Sequence, residues 1–185
     1  MEANPELILQ PIGRVVAGRP WPDEGDTWEK VDAILEIDPQ WLDALEGIDG
    51  FSHIWIIWWL DRTRGGRGCE KGRPGALRVH PEGRNELPLV GLFGTRAPFR
   101  PNPIAMTAVR LLAHEGNRLR VQGLDAYQDT PILDLKPYLR RGDLIPEATM
   151  PAWLEELWQI HDQERATQES LAAGGAELAS IEPIL

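Results

Sequence analysis

The residues best suited to chemistry fall in one stretch: Gly91-Leu92-Phe93-Gly94-Thr95-Arg96-Ala97-Pro98-Phe99-Arg100-Pro101-Asn102-Pro103-Ile104. Prolines at 98, 101 and 103 each fix φ and remove a backbone donor, so the segment is stiff and extended before anything binds. Arg96 and Arg100 offer planar forks of donors matched to carboxylate or phosphate, and Asn102 adds a third polar group. A braced loop carrying such groups loses little entropy on meeting an anionic ligand. The plainer reading of the same residues is a proline-rich crossover between strands with solvated arginines. Other familiar chemistries find no template. There is no strand–GxGxxG–helix unit, no GxxxxGK[ST] phosphate loop and no GxSxG elbow. His53, His80, His114 and His161 are scattered, without HExxH or CxxC spacing, so no metal site is expected. The lone Cys69 excludes an internal disulfide; its arginine-rich surroundings favour a thiolate, but no base is placed beside it.

These groups belong to a chain of 185 residues, 42% hydrophobic and 26% charged, enough for one domain with a real core. The longest apolar run, Ile54 to Leu60, is far too short to span a bilayer. The N-terminus is acidic and lacks the basic-then-apolar pattern of a secretion signal, so a soluble, cytoplasmic protein is the expectation. The formal charge of −10 argues against nucleic acid as a partner, but its distribution does not. Residues 62–110 hold 10 Lys/Arg against 3 Asp/Glu, a local charge of +7, and nine of the ten cations are arginine. That block is either a solvated loop paired with acidic neighbours or an anion-facing patch on an otherwise repellent surface.

The elements that must position the arginines are mostly short strands. Leu7 to Ala17 reads as an edge or bulged strand because Pro11 and Gly13 interrupt it. Val31 to Ile37 alternates, with Val31, Ala33, Leu35 and Ile37 on one face. Asp38 then caps a short helix with Pro39 at its first position, Trp41, Leu42 and Leu45 as its buried stripe, and Gly47 at its end. His53 to Leu60 is a continuous apolar run that fits a strand covered on both faces. Arg62 to Gly75 is a glycine-rich loop. Ala76–Val79, Leu89–Phe93, Ile104–Leu112, Arg118–Leu124 and Pro131–Leu135 complete the strands, with a hairpin turn at Glu115-Gly116-Asn117. Pro151 to about Ala173 is helical, with Trp153, Leu154, Leu157, Trp158 and His161 on one stripe. Many short strands and few helices imply a mainly β fold, a barrel or a sandwich, with helical additions.

Four blocks in order make the chain resemble a known family. They are Pro11-Ile12-Gly13; Leu45-Glu46-Gly47-Ile48-Asp49-Gly50-Phe51-Ser52-His53-Ile54-Trp55; the stretch Gly91–Ile104; and Gly123-Leu124-Asp125 with Asp129-Thr130-Pro131-Ile132-Leu133-Asp134-Leu135-Lys136-Pro137-Tyr138. Together they are similar to the TsaA-like (YaeB/TrmO-like) family, whose best-known members are tRNA threonylcarbamoyladenosine N6-methyltransferases. The resemblance covers roughly residues 7–140. It implies a small β-barrel over residues 1–150, a short helix after an early strand, and a C-terminal helical extension over 151–185. It also implies S-adenosyl-L-methionine as cofactor, tRNA as substrate, and a homodimer with the cofactor near the subunit junction. Carried over by position, Asp61, Arg62, Arg96, Met106, Gln128, Asp129, Thr130 and Pro131 are the expected cofactor contacts. Arg100 and Asn102 are left to order the loop or to meet substrate. Three residues depart from the family pattern: Asp61 replaces a histidine, Asp129 a glycine and Ala105 a glycine.

The resemblance points to methyl transfer onto N6 of a modified adenosine beside the anticodon, with Asp61, Asp129, Asp134 or water as proton acceptor. Two rival readings stand beside it: a methyltransferase of a small molecule or another nucleotide, favoured by the −10 charge, and a module that binds the cofactor without turnover. Trp55, Trp58, Trp59, Trp153 and Trp158 read as packing residues; Trp21 and Trp28, in a polar loop, are the better candidates for stacking on bases.

Overall fold

In the computed structural model, residues 8–19, 28–63 and 76–179 are described. Segment 64–75 with Cys69, residue Trp21 and the side chain of Trp28 lie outside them. Six antiparallel strands close into a barrel: β1 (Gly13–Ala17), β2 (Asp32–Ile37), β3 (His53–Trp59), β6 (Ile104–Glu115), β7 (Arg118–Gln122) and β8 (Pro131–Pro137), in the order β1-β2-β7-β6-β3-β8. A separate ribbon pairs β4 (Arg78–Val79) with β5 (Val90–Gly91). Two helices follow, α1 (Arg140–Asp143) and α2 (Ala152–Ala179).

Alternation builds the interior. Val15, Ala33, Leu35, Ile37, Ile54, Ile56, Trp58, Val109, Leu119, Val121 and Ile132 are buried in one cluster. The 12-residue β6 is long enough to pair with β3 through its first half and with β7 through its second. A two-residue turn, Gly116-Asn117, joins β6 to β7, and the φ of +62° at Gly116 requires glycine's freedom. The barrel closes where β1 meets β8, and there Gly13 is fitted too closely for any side chain. A Cβ on it would stand 2.3 Å from the Glu36 carbonyl oxygen.

Several elements differ from the sequence reading. The first strand starts only at Gly13 and is no edge, because it pairs with β2 on one side and β8 on the other. Its irregularity, between Val15 and Ala17, is a bulge inside a closed sheet. The short helix over Pro39–Leu45 is 3-10, Asp38 makes no side-chain cap, and Leu45 alone is buried while Trp41 and Leu42 are exposed. The tighter 3-10 turn has three residues per turn, which breaks the 3.6-residue stripe that the sequence suggested. The outer face of β3 is only half covered, with Trp55, Ile57 and Trp59 half-buried. On α2, Leu157 is buried but Trp158 is 49% exposed. Trp153, Leu154 and His161 of its expected stripe are half-buried, and the same face is held further along, where Glu164 accepts two 2.8 Å bonds from Arg84 and His161 bonds Glu82 at 2.8 Å.

Candidate functional site

Because the barrel is antiparallel, the C-terminal ends of β1 and β3 and the N-terminal ends of β6 and β8 share one rim. The loops leaving that rim enclose a cavity of about 940 Å³. One wall is the proline-braced loop. Thr95 organises it: its Oγ1 donates to the Leu92 carbonyl (2.8 Å) and accepts from the Ala97 N–H (3.2 Å), and its carbonyl accepts from the Arg100 guanidinium (2.8 Å). The Leu60 N–H donates to the Pro103 carbonyl at 2.7 Å, which ties the loop to the end of β3.

The opposite wall is the turn Tyr127–Thr130. Its backbone is held on three sides: Asp129 N–H to Val15 O (2.7 Å), Val15 N–H to Thr130 O (3.0 Å) and Thr130 N–H to Tyr127 O (3.2 Å). Asp129 sits at φ +67°, in the left-handed region. That region is the one glycine enters freely and aspartate tolerates better than most residues. Thr130 is 1% exposed and forms part of the cavity wall.

Arg62, just past β3, reaches the turn wall. Its guanidinium donates to the Gln128 carbonyl and lies 5.2 Å from the centroid of Tyr127. Arg19 covers the same ring at 5.4 Å and pairs with Asp125. The cavity therefore faces four guanidiniums (Arg19, Arg62, Arg96 and Arg100) and two carboxylates, Asp61 and Asp125. Asp61 lies 3.9 Å from the Arg62 Nε. Such a site has a positive bias with two negative groups, suited to a ligand that carries both charges. At the inner edge, Trp58 is 7% exposed, and its indole N–H has no hydrogen-bond partner among the described residues.

Of the expected contacts, Asp61, Arg62, Arg96, Met106 and Thr130 line this cavity, as does Arg100. Gln128 takes part through its carbonyl. Asp129 and Pro131 belong to the same turn but do not line the space, and Asn102 is exposed beyond it, closing the loop through its carbonyl to the Ile104 N–H (2.7 Å). Asp134 lies at the opposite end of the barrel beside a second hollow of about 390 Å³, 2.7 Å from the Lys136 Nζ. Sequence reasoning did not single out Arg19, Asp125 and Tyr127. Arg19 and Asp125 are 106 residues apart, and the block Gly123-Leu124-Asp125 was the one signal available. Among the described residues, no cluster of His, Cys, Asp or Glu could hold a metal, and no helix is long and apolar enough to cross a membrane.

Residues 17–144 match the family model of the tRNA-methyltransferase O N-terminal domain. An S-adenosyl-L-methionine-binding protein of Archaeoglobus fulgidus is 36% identical over 144 residues, 75% of this chain and 94% of that protein. A second protein of that organism, named a probable S-adenosyl-L-methionine-binding protein, is 38% identical over 122 residues. That match takes in 66% of this chain but only 30% of the relative. A crystal structure of TrmO superposes with a TM-score of 0.57 at 29% identity, over 78% of this chain and 62% of that one. TrmO from Pseudomonas aeruginosa gives 0.58 at 27% identity, over 78% and 61%. The chain thus spans under two thirds of the length of these TrmO structures.

Proposed function

The chain belongs to the family of the tRNA-methyltransferase O N-terminal domain, and from that premise we propose that its rim cavity binds S-adenosyl-L-methionine and that the protein methylates N6 of threonylcarbamoyladenosine in a tRNA anticodon loop. The observation that carries the reading is the convergence of the proline-braced loop and the Tyr127–Thr130 turn on one cavity, with the end of β3 tied to the loop through Leu60 and to the turn through Arg62. The residues suit the cofactor. A volume of about 940 Å³ lies within the range of small-molecule sites. Arg62 and Arg96 match a carboxylate, Asp61 answers the cationic part, and the Trp58 N–H awaits an acceptor.

When bound, the sulfonium nucleoside supplies a methyl group already activated for transfer. The work left to the chain is alignment of nucleophile and donor, which can lower a barrier by roughly 7–11 kcal/mol. The rigid loop and the tethered turn provide that alignment, and Thr130 helps to wall off water. On this reading Asp61, a cavity carboxylate 3.9 Å from the Arg62 Nε, takes the proton that N6 gives up. At the mouth, exposed Arg96 and half-buried Arg100 meet RNA phosphates, so affinity for tRNA falls with added salt. Ile104 and Met106 leave apolar surface at the same mouth, which supports a homodimer with the cofactor near the subunit junction.

The test is to incubate the protein with labelled S-adenosylmethionine and bulk tRNA from a strain lacking the endogenous enzyme. Label in threonylcarbamoyladenosine is the expected result. Binding without transfer, transfer only to small molecules, or a salt-independent tRNA affinity would refute it.

A further inference from the structure

Phe93 belongs to the wall of the cavity without lining it. Its neighbour Leu92 is buried and anchors the loop, yet the Phe93 ring is 77% exposed. One side of that ring is covered: the Arg100 guanidinium lies 5.6 Å from its centroid. Arg100 is itself fixed by its bond to the Thr95 carbonyl, so ring and cation are arranged before any partner arrives. The flanks are open, since a Cβ built on Gly91 or Gly94 would meet nothing within 4 Å.

A flat aromatic face backed by a guanidinium, beside a cavity ringed with arginine, is the arrangement that holds unpaired bases. The ring takes the π-face, and the arginines draw the adjoining phosphates. We infer that Phe93 and Arg100 form a stacking seat for an unpaired base of single-stranded RNA, next to the nucleoside that reacts in the cavity. The inference rests on the tRNA reading above and names the contact that would distinguish a loop from a duplex. Exposed Leu77, whose carbonyl accepts from the Leu92 N–H, makes a second copy of the chain the competing occupant.

The experiment compares wild type with Phe93→Leu and Phe93→Trp, each checked for unchanged melting. Fluorescence anisotropy is read with an anticodon stem–loop RNA and with a blunt duplex of the same length. Phe93→Leu should weaken stem–loop binding by roughly 5- to 150-fold, the range set by one base stacked on an aromatic ring, and leave the duplex unaffected. Phe93→Trp should keep the stem–loop affinity. Unchanged stem–loop binding by Phe93→Leu, equal loss on both RNAs, or a wild type that binds no stem–loop would overturn the inference. So would a change of oligomeric state in Phe93→Leu by sedimentation, which would assign the ring to a second copy. Calorimetry with S-adenosylhomocysteine runs alongside. No heat from the wild type defeats the cofactor reading instead, while the RNA comparison still decides the stacking seat.

Discussion

Arg62→Ala tests the tie between the end of β3 and the Tyr127–Thr130 turn. The guanidinium makes a charged hydrogen bond to the Gln128 carbonyl and covers Tyr127 at 5.2 Å. Its side chain is 27% exposed, so neither interaction is fully screened. A hydrogen bond to a charged group contributes about 1.5–3 kcal/mol and an exposed cation–π contact about 0.5–1. Partial solvation of Arg62 places its loss at the lower end, about 2 kcal/mol of stability. For a chain of this size that lowers the melting temperature by roughly 4–8 °C. Ligand affinity should fall separately, because the proposed function gives this cation to the cofactor's carboxylate. One charged hydrogen bond of about 1.5–3 kcal/mol corresponds to roughly a 10- to 150-fold rise in Kd. Arg62→Lys keeps the charge but loses the fork, and should fall between the two. The assay is calorimetry with S-adenosylhomocysteine beside thermal melting. Unchanged affinity in Arg62→Ala, with normal melting, would refute the role given to this residue.

Three further outcomes follow from the structure. Gly13→Ala forces a Cβ against the backbone of Glu36 and Ile37, atoms that cannot swing aside. Overpacking at the upper end of about 3 kcal/mol should lower the melting temperature by roughly 6–12 °C, and a melt like wild type would contradict the close approach of β1 to β2. Asp129 holds a φ of +67°, so Asp129→Gly should be near neutral, whereas β-branched Asp129→Val should cost about 1–3 kcal/mol in denaturant unfolding. Equal stability of the two variants would count against that backbone conformation. His114 titrates above its ordinary value, chiefly because Asp49 hydrogen-bonds its ring at 3.1 Å, with the Gly116 carbonyl assisting. A raised folded value means the contact stabilises fully below the unfolded value of about 6.5 and is lost as pH rises through the folded value. The stability gap between wild type and Asp49→Asn should therefore be widest in mild acid and should close in alkali; a gap that widens with pH would reverse the assignment.

Strand positions were legible because alternation survives in the sequence. Ala33, Leu35 and Ile37 point inward as the period of two requires, and the Gly116 turn marks its hairpin. The barrel was legible through the family resemblance but not from patterning, which left barrel or sandwich open, since the pairing of β1 with β8 joins residues more than a hundred positions apart. The 3-10 character of Pro39–Leu45 was equally hidden: Asp-Pro opens either kind of helix, and only the exposure of Trp41 and Leu42 shows that the stripe had the wrong period. In the site, Arg96 and Arg100 announced themselves by the prolines around them. Arg19 did not. It follows Gly18 at the edge of a proline-rich loop and acquires its role only where Tyr127 and Asp125 come to meet it. Phe93 was equally unmarked, because an aromatic next to Leu92 reads as core until the fold leaves its ring in solvent.

The measurement that bears most directly on the central claim is a crystal structure grown with saturating S-adenosylhomocysteine. The account predicts the nucleoside within the rim cavity, between Arg96 and Thr130, with Arg62 at its charged end. Ligand density at the opposite hollow beside Asp134, or none at either place, would contradict it.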